Sequence, residues 1–403
     1  MSFKLILPGL PAGSSPVWDL QVAGDGASAK GTMQQAGMML VASITKLAAG
    51  AQPAGPNRPQ TPTPPFPYTM REVAYESFDG AAMNGTLVLP PAASAEARHP
   101  CILLITGSGV QDRDETLFNH KPFAVIADAL ARAGIASLRV DDRGWKGAKD
   151  PAGKEATTET FVQDVRAGVA FLAQQPEIDP KRIGLLGHSE GGLIAPAVAA
   201  EMGKGSVAFI VLLAGPGVSG YDCLREQMGA ILRANGSSPQ NIELALARQN
   251  VTLTAVMAGD TAAARTSMRE AIAENSAAAG VPAPQGAALD AAIDSAMKQV
   301  DSAWMRHFLT RDPRQALSRT TCPVLVLNGG KDAQVVASQN IPQIARALLD
   351  GGNTDVTIRV FPGLNHLFQP CTTGAVAEYG QIETTIDPAV LETITRWIAE
   401  IAK

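Results

Sequence analysis

Apolar positions along this chain come in short unbroken runs separated by helix-like stretches, and that rhythm predicts most of the fold. Residues 72–77 and 85–89 predict an antiparallel strand pair. CILLIT (101–106), a helix over 121–133, ASLRVDD (136–142) and a helix over 157–174 come next. RIGLLG (182–187), a helix beyond Ser189 and AFIVLLAG (208–215) continue the series. The strands are continuously apolar rather than alternating, as where a parallel sheet is covered on both faces. Strand–helix alternation with short connections predicts a doubly wound, mostly parallel α/β sheet.

Residues 218–318 interrupt the rhythm. They are Ala-rich and helical, with Leu224, Met228, Ile231 and Leu232 sharing one face, as do Ile242, Leu246, Leu253 and Met257. A stretch over 277–288, AAAGVPAPQGAA, reads as a loop. The strands and helices resume with PVLVLNG (323–329), a helix near 340–350, TIRVFPG (357–363) and a last helix over 388–402. Such an insertion late in a parallel sheet reads as a lid over the sheet's carboxyl edge, where α/β folds place their ligands. Upstream, residues 1–50 hold short apolar stretches at 17–22 and 38–45 between Gly-rich turns, a β-rich segment too short for its own core. Residues 51–68 hold seven prolines between Pro53 and Pro67 and predict an extended, polyproline-like linker. The core then occupies 69–217 and 319–403, around the lid.

Composition narrows the function classes. The chain is 46% apolar and 18% charged, which fits a soluble globular protein. A net charge of -5 without any Lys/Arg cluster argues against a nucleic-acid partner, and 5% aromatics argues against a base-stacking surface. Cys101, Cys223, Cys322 and Cys371 lie far apart with no paired spacing, so they read as buried free thiols rather than a disulfide framework or zinc site. No apolar run reaches the roughly 18 residues of a membrane span. The start, MSFKLILPGLPAGSS, is a poor signal peptide because Pro8 and Pro11 break its short apolar run. As written the chain reads as cytoplasmic, with export left to a chain whose true start lies upstream.

The informative motif is Gly187-His188-Ser189-Glu190-Gly191, followed by Gly192. Gly-x-Ser-x-Gly is weak alone, but here it sits directly after an apolar strand and directly before a helix. Glycines permit a tight strand-to-helix turn from which a strained serine projects its hydroxyl. A serine needs a base to take its proton, and the chain has five histidines. In the order nucleophile, acid, histidine that goes with this turn, His99 and His120 come too early. His188 lies inside the turn, and His307 lies in the helical insertion, where packing explains it. His366 remains, on the loop after TIRVF. The acid belongs after PVLVLNG, which selects Asp332 to orient His366; Asp350 and Asp355 are rivals at a helix end and a strand start. The tetrahedral intermediate needs two aimed donors. The amide of Glu190 is one; the other comes from Thr106-Gly107-Ser108-Gly109, with Ser108 preferred and Gly107 the alternative. Asp112-Arg113-Asp114-Glu115 and Asp141-Asp142-Arg143-Gly144 read as salt-bridged structural loops. No metal-ligand cluster and no phosphate-cradling glycine motif is present, so no cofactor is expected.

RPQTPTPPFPY, TGSGVQDRDE, HKPF, DDRG, GHSEGGLIAP, LLAGPG, PVLVLNGGKD and PGLNHLFQP together resemble a bacterial esterase family of the α/β-hydrolase fold, over about residues 58 to 400. The resemblance implies hydrolysis of a small-molecule carboxylic ester without a cofactor, with Ser189, Asp332 and His366 as the triad and a helical cap between the sixth and seventh core strands. Family members usually carry an N-terminal β-domain, often behind an export signal, where this chain has about fifty residues. After DDRG the family tends to Val-Gly-x-Ser, whereas here Trp145-Lys146-Gly147-Ala148 follow. Thioesterases and serine peptidases use the same triad, and a non-catalytic binding protein would have lost a member of it. Homodimerisation is left open by the sequence.

Overall fold

A strand that is apolar on both sides must be covered on both sides, and the chain folds to supply that cover. The computed structural model describes residues 17–24, 26–35, 38–46, 56–147, 156–278 and 282–402. Near the start, β1 (Val17–Val22), β2 (Ser28–Gln35) and β3 (Met38–Thr45) pair antiparallel into a small sheet of their own. Sequence patterning anticipated β1 and β3; β2, SAKGTMQQ, is too polar to read as a strand by itself.

The central sheet contains β4 (Thr69–Glu76), β5 (Ala82–Leu89), β6 (His99–Ile105), β7 (Ala136–Val140), β8 (Ile178–His188), β9 (Ile210–Leu213), β10 (Val324–Gly329) and β11 (Val356–Phe361). Its order is β11-β10-β9-β8-β6-β7-β5-β4, with β6 to β11 parallel and β4 and β5 joined antiparallel at one edge. Helices α1 (Pro122–Arg132), α2 (Thr158–Leu172) and α3 (Gly191–Met202) follow β6, β7 and β8. Alternation along β6 sends Cys101, Leu103 and Ile105 to a core shared with Val162, Val169, Ile194 and Val198 of α2 and α3. Ile102 and Leu104 turn to the other face, against Ile126 and Leu130 of α1. This is the α/β-hydrolase fold.

Between β9 and β10 the chain forms α4 (Gly220–Ala234), α5 (Pro239–Met257), α6 (Thr261–Ala278), α7 (Gly286–Val300), α8 (Ala303–Thr310) and α9 (Arg314–Leu317). Leu253, Val256, Ile293, Met297, Met305 and Leu309 give this insertion a core of its own. Met257 does not join it and is exposed, because α5 ends there and its buried positions are Thr252, Leu253, Ala255 and Val256. After β10, α10 (Ala337–Asp350), α11 (Val376–Tyr379) and α12 (Pro388–Ile401) complete the chain; Val390, Ile394 and Ile398 of α12 cover the α1 face. Among the described residues no helix is long and apolar enough to cross a membrane. Cys101 and Cys223 are buried free thiols, whereas Cys322 and Cys371 are free but only half-buried.

The described part of the proline-rich segment is a strap rather than a spacer. Arg58 donates through Nη1 to the carbonyl of Ile382 at 2.8 Å and through Nη2 to the carbonyls of Gly380 and Phe118, each at 2.9 Å. Gln60 donates to the carbonyl of Ile386 and accepts from the amides of Thr385 and Ile386. Prolines leave the segment extended with few donors of its own, so these two side chains fasten it.

Candidate active site

Strands β6 and β8 are parallel neighbours with Ile105 opposite Gly187, so the turns that follow them open side by side at the carboxyl edge. The connectivity reverses here, with β7 on one side of β6 and β8 on the other, which leaves a crevice between adjacent turns. Ser189 lies between β8 and α3 with φ 53, a left-handed conformation costing a non-glycine residue roughly 1–2 kcal/mol. A Cβ on Gly187 would overlap the carbonyl of Gly191, and one on Gly191 would overlap the carbonyl of Ile105. Only glycine at both positions lets the strand turn into the helix this tightly.

His366 is on the loop after β11 and Asp332 on the loop after β10, and both are buried. His366 Nδ1 is 2.8 Å from Asp332 Oδ2. The other carboxylate oxygen of Asp332 accepts from the amides of Gln334 at 2.8 Å and Val335 at 2.9 Å. Asn365 holds the His366 loop by accepting from the amides of Leu367 and Gln369 through Oδ1. The His366 ring centroid is 4.7 Å from that of His188, the residue before Ser189. The structure therefore brings Ser189, His366 and Asp332 to the same sheet edge. Asp350 instead pairs with Arg346 at an exposed helix end, and Asp355 precedes β11 at the opposite edge. His99 starts β6, and His120 is buried against Thr385 and Gln369.

Of the three amides singled out as donors, those of Ser108 and Glu190 meet no protein acceptor among the described residues. The amide of Gly107 donates to Glu115 Oε1 at 2.7 Å, so it is already engaged. Gly107 also packs close to the nucleophile turn, where a Cβ would come 3.2 Å from that of Ser189.

Three buried or partly buried carboxylates also shape the site, and their side-chain partners leave little sign in the sequence. Glu190 is buried, and its carboxylate accepts from Thr158 Oγ1 at 2.6 Å and from the Trp304 indole at 3.0 and 3.1 Å. Thr158 begins α2 and Trp304 lies on α8, so the residue after Ser189 joins the core to the insertion. Burial pushes the Glu190 carboxyl above its ordinary range, against the hydrogen bonds that favour its charge. Asp142 is held under the turn after β6: it accepts from Thr106 Oγ1 and the amide of Gln111, each at 2.8 Å. Burial raises it well above the carboxylate range, outweighing those two donors. Glu115 is the third, 2.9 Å from His188 Nδ1. The rest of the two charged loops is structural, as expected: Arg113 pairs with Asp141 and Glu72, Asp114 with Arg139, and buried Arg143 with Asp164 and Asp79. Lys146 sits over the ring of Trp145, and Ala148 lies outside the described residues.

Residues 120–369 match the model of the Hydrolase_4 family, described as serine aminopeptidase S33. Among curated proteins, Esterase EstD of Thermotoga maritima is 25% identical over 305 residues, covering 75% of this chain and 62% of the relative. Thiohydrolase aneE of Aspergillus aculeatus is 32% identical over 130 residues, covering 32% of this chain and 36% of the relative. The chain thus spans less than two thirds of the length of either. Among solved structures, the acetyl xylan esterase from Paenibacillus sp. R4 aligns with a TM-score of 0.49 and 15% identity, over 84% of this chain and 85% of that one.

Proposed function

The chain belongs to the Hydrolase_4 family, the serine aminopeptidase S33 group, and from that premise we propose that it is a serine esterase acting on small carboxylic esters. The observation that carries this reading is the left-handed Ser189 at the β8–α3 turn, on the sheet edge that also holds the buried Asp332–His366 pair.

In this reading Asp332 accepts the Nδ1 proton of His366, which leaves Nε2 as the base. His366 takes the hydroxyl proton as Ser189 Oγ attacks the ester carbonyl carbon. Negative charge on the carbonyl oxygen is met by the amides of Ser108 and Glu190, the latter at the N-terminus of α3. The intermediate collapses, the alcohol leaves with the proton from His366, and an acyl-enzyme remains. His366 then deprotonates water as its oxygen attacks the acyl carbon; the bond to Ser189 Oγ breaks, His366 returns the proton to Oγ, and the carboxylic acid leaves. Helices α4 to α9 act as the lid. An ester is favoured over an aminoacyl peptide because an aminopeptidase must hold a free ammonium against a carboxylate. The carboxylates beside the nucleophile, Glu190 and Glu115, are already taken up by Thr158, Trp304, Gly107 and His188.

The test is turnover of matched p-nitrophenyl esters, thioesters and aminoacyl amides by the wild type and by Ser189→Ala. The ester should be preferred, a fluorophosphonate should label Ser189, and the substitution should lower kcat by on the order of 10⁶. Retention of a tenth of the activity by Ser189→Ala, or preference for the aminoacyl amide, would overturn the assignment.

A further inference from the structure

His188 occupies the one position of the nucleophile turn to which the mechanism gives no work, yet it is buried and fully bonded. Its Nδ1 is 2.9 Å from Glu115 Oε1 and its Nε2 is 3.1 Å from the backbone carbonyl of His366. A carboxylate and a carbonyl are both acceptors. A neutral imidazole carries one N–H and satisfies one of them; only the imidazolium satisfies both. Placing the proton on Glu115 would reverse the ordinary order of proton affinity, in which imidazole exceeds a carboxyl by about two pH units. It would also ask Glu115 Oε1 to donate to His188 while it accepts the Gly107 amide at 2.7 Å.

We propose that His188 is a permanently charged imidazolium, ion-paired with Glu115, and that this pair is a positioning element for the reaction. The pair reaches every moving part of the site. Glu115 holds Gly107, and with it the loop that carries the Ser108 amide; His188 holds the carbonyl of His366; and Ser189 follows His188 in the chain. Glu115 itself takes a left-handed φ of 53, a conformation that persists in a non-glycine residue only where surrounding bonds hold it. The charged groups facing His188 are Glu115, from the loop after β6, and Asp332, from the loop after β10, with the ring of His366 beside it. Burial disfavours the charge on His188, but the field and hydrogen bond of Glu115, the His366 carbonyl and the field of Asp332 outweigh it.

This inference rests on the reading of Ser189 and His366 as nucleophile and base, but its first test does not. In ¹⁵N-histidine-labelled wild type, one histidine should show both ring nitrogens protonated from pH 5 to pH 9. That signal should vanish in His188→Asn, and in Glu115→Gln the same ring should lose one proton at pH 7. A single N–H on His188 at pH 7 overturns the proposal, whatever Ser189→Ala does to activity. The kinetic test follows from the geometry: His188→Asn should lower kcat about tenfold with little change in KM. A folded His188→Asn enzyme with kcat within twofold of wild type would reduce His188 to a packing residue. Should that variant fail to fold, the labelled wild type and Glu115→Gln still decide the question.

Discussion

Replacing Trp304 by Phe removes the indole N–H together with part of a half-buried ring. The pH dependence of the loss separates the two and probes how the insertion is tied to the Ser189 turn. The indole nitrogen is 3.0 Å and 3.1 Å from the two oxygens of Glu190, whose residue is 1% exposed. A phenyl ring keeps the stack on Phe308, whose ring centroid is 5.2 Å away, so the loss is the hydrogen bond plus the packing of the deleted ring atoms, and only the first depends on pH. A hydrogen bond to a buried charged group contributes about 1.5–3 kcal/mol, and Thr158 and Ser108 then remain to serve the carboxylate. We expect Trp304→Phe to lose at least that much unfolding free energy at pH 8, the packing loss adding to it at every pH. The pH dependence follows from the direction of the Glu190 shift. Burial raises its pKa in the folded protein, so its contribution to stability is present at low pH and is lost as pH rises through the folded value. Removing a donor that favours the charged form raises that pKa further. The penalty should therefore be largest at pH 8 and shrink as Glu190 protonates, towards the packing loss plus an ordinary neutral hydrogen bond of about 1 kcal/mol or less. Urea unfolding at pH 8 and pH 5 measures it, and limited proteolysis should show faster cleavage within 218–318. A loss under about 0.5 kcal/mol at pH 8, or an equal loss at both pH values, refutes the reasoning.

In Asp142→Asn the new side chain can accept from the Gln111 amide through Oδ1 and donate from Nδ2 to Thr106 Oγ1. The substitution thus removes a buried carboxyl, whose pKa burial raises, and orphans neither group, so the variant should gain stability on the wild type as pH rises. Thermal unfolding from pH 5 to pH 9 checks this, and a variant that loses ground with rising pH contradicts it. Arg58→Ala leaves the carbonyls of Ile382, Gly380 and Phe118 without their donor and should cost about 2–3 kcal/mol in denaturant unfolding. Arg58→Lys should recover only part of that, since one ammonium lacks the planar fork that spans three carbonyls.

What could be read from the chain and what could not divides along a physical line. The β6 run CILLI and the β10 run VLVLN read as strands because both faces need cover, and that demand is written in the residues themselves. The insertion was legible for the same reason, as the place where the strand–helix rhythm lapses. Polar partnerships across the fold leave no such trace. Glu115 is 73 residues from His188, and Glu190 is 114 from Trp304; a charge in a loop and a Trp in a helix have ordinary uses that fit equally well. Backbone partners are quieter still. Arg58 binds carbonyls, which every residue carries, so a proline-rich stretch looked like a spacer when it is fastened at both Arg58 and Gln60.

The same line bears on the proposed oxyanion donor. A Gly-Ser-Gly loop after a strand offers two adjacent amides, and the sequence prefers Ser108 without any contact to support the preference. The ranking is made by Glu115, which reaches back eight residues to take the amide of Gly107 and leaves that of Ser108. Elimination among the histidines met the same limit. It excluded His188 as a base because of its place in the turn, but it said nothing of the acceptors at both its nitrogens. A residue set aside for one chemical role remains free for another, and at this site the second role depends on a carboxylate and a carbonyl that only the folded chain brings to the ring.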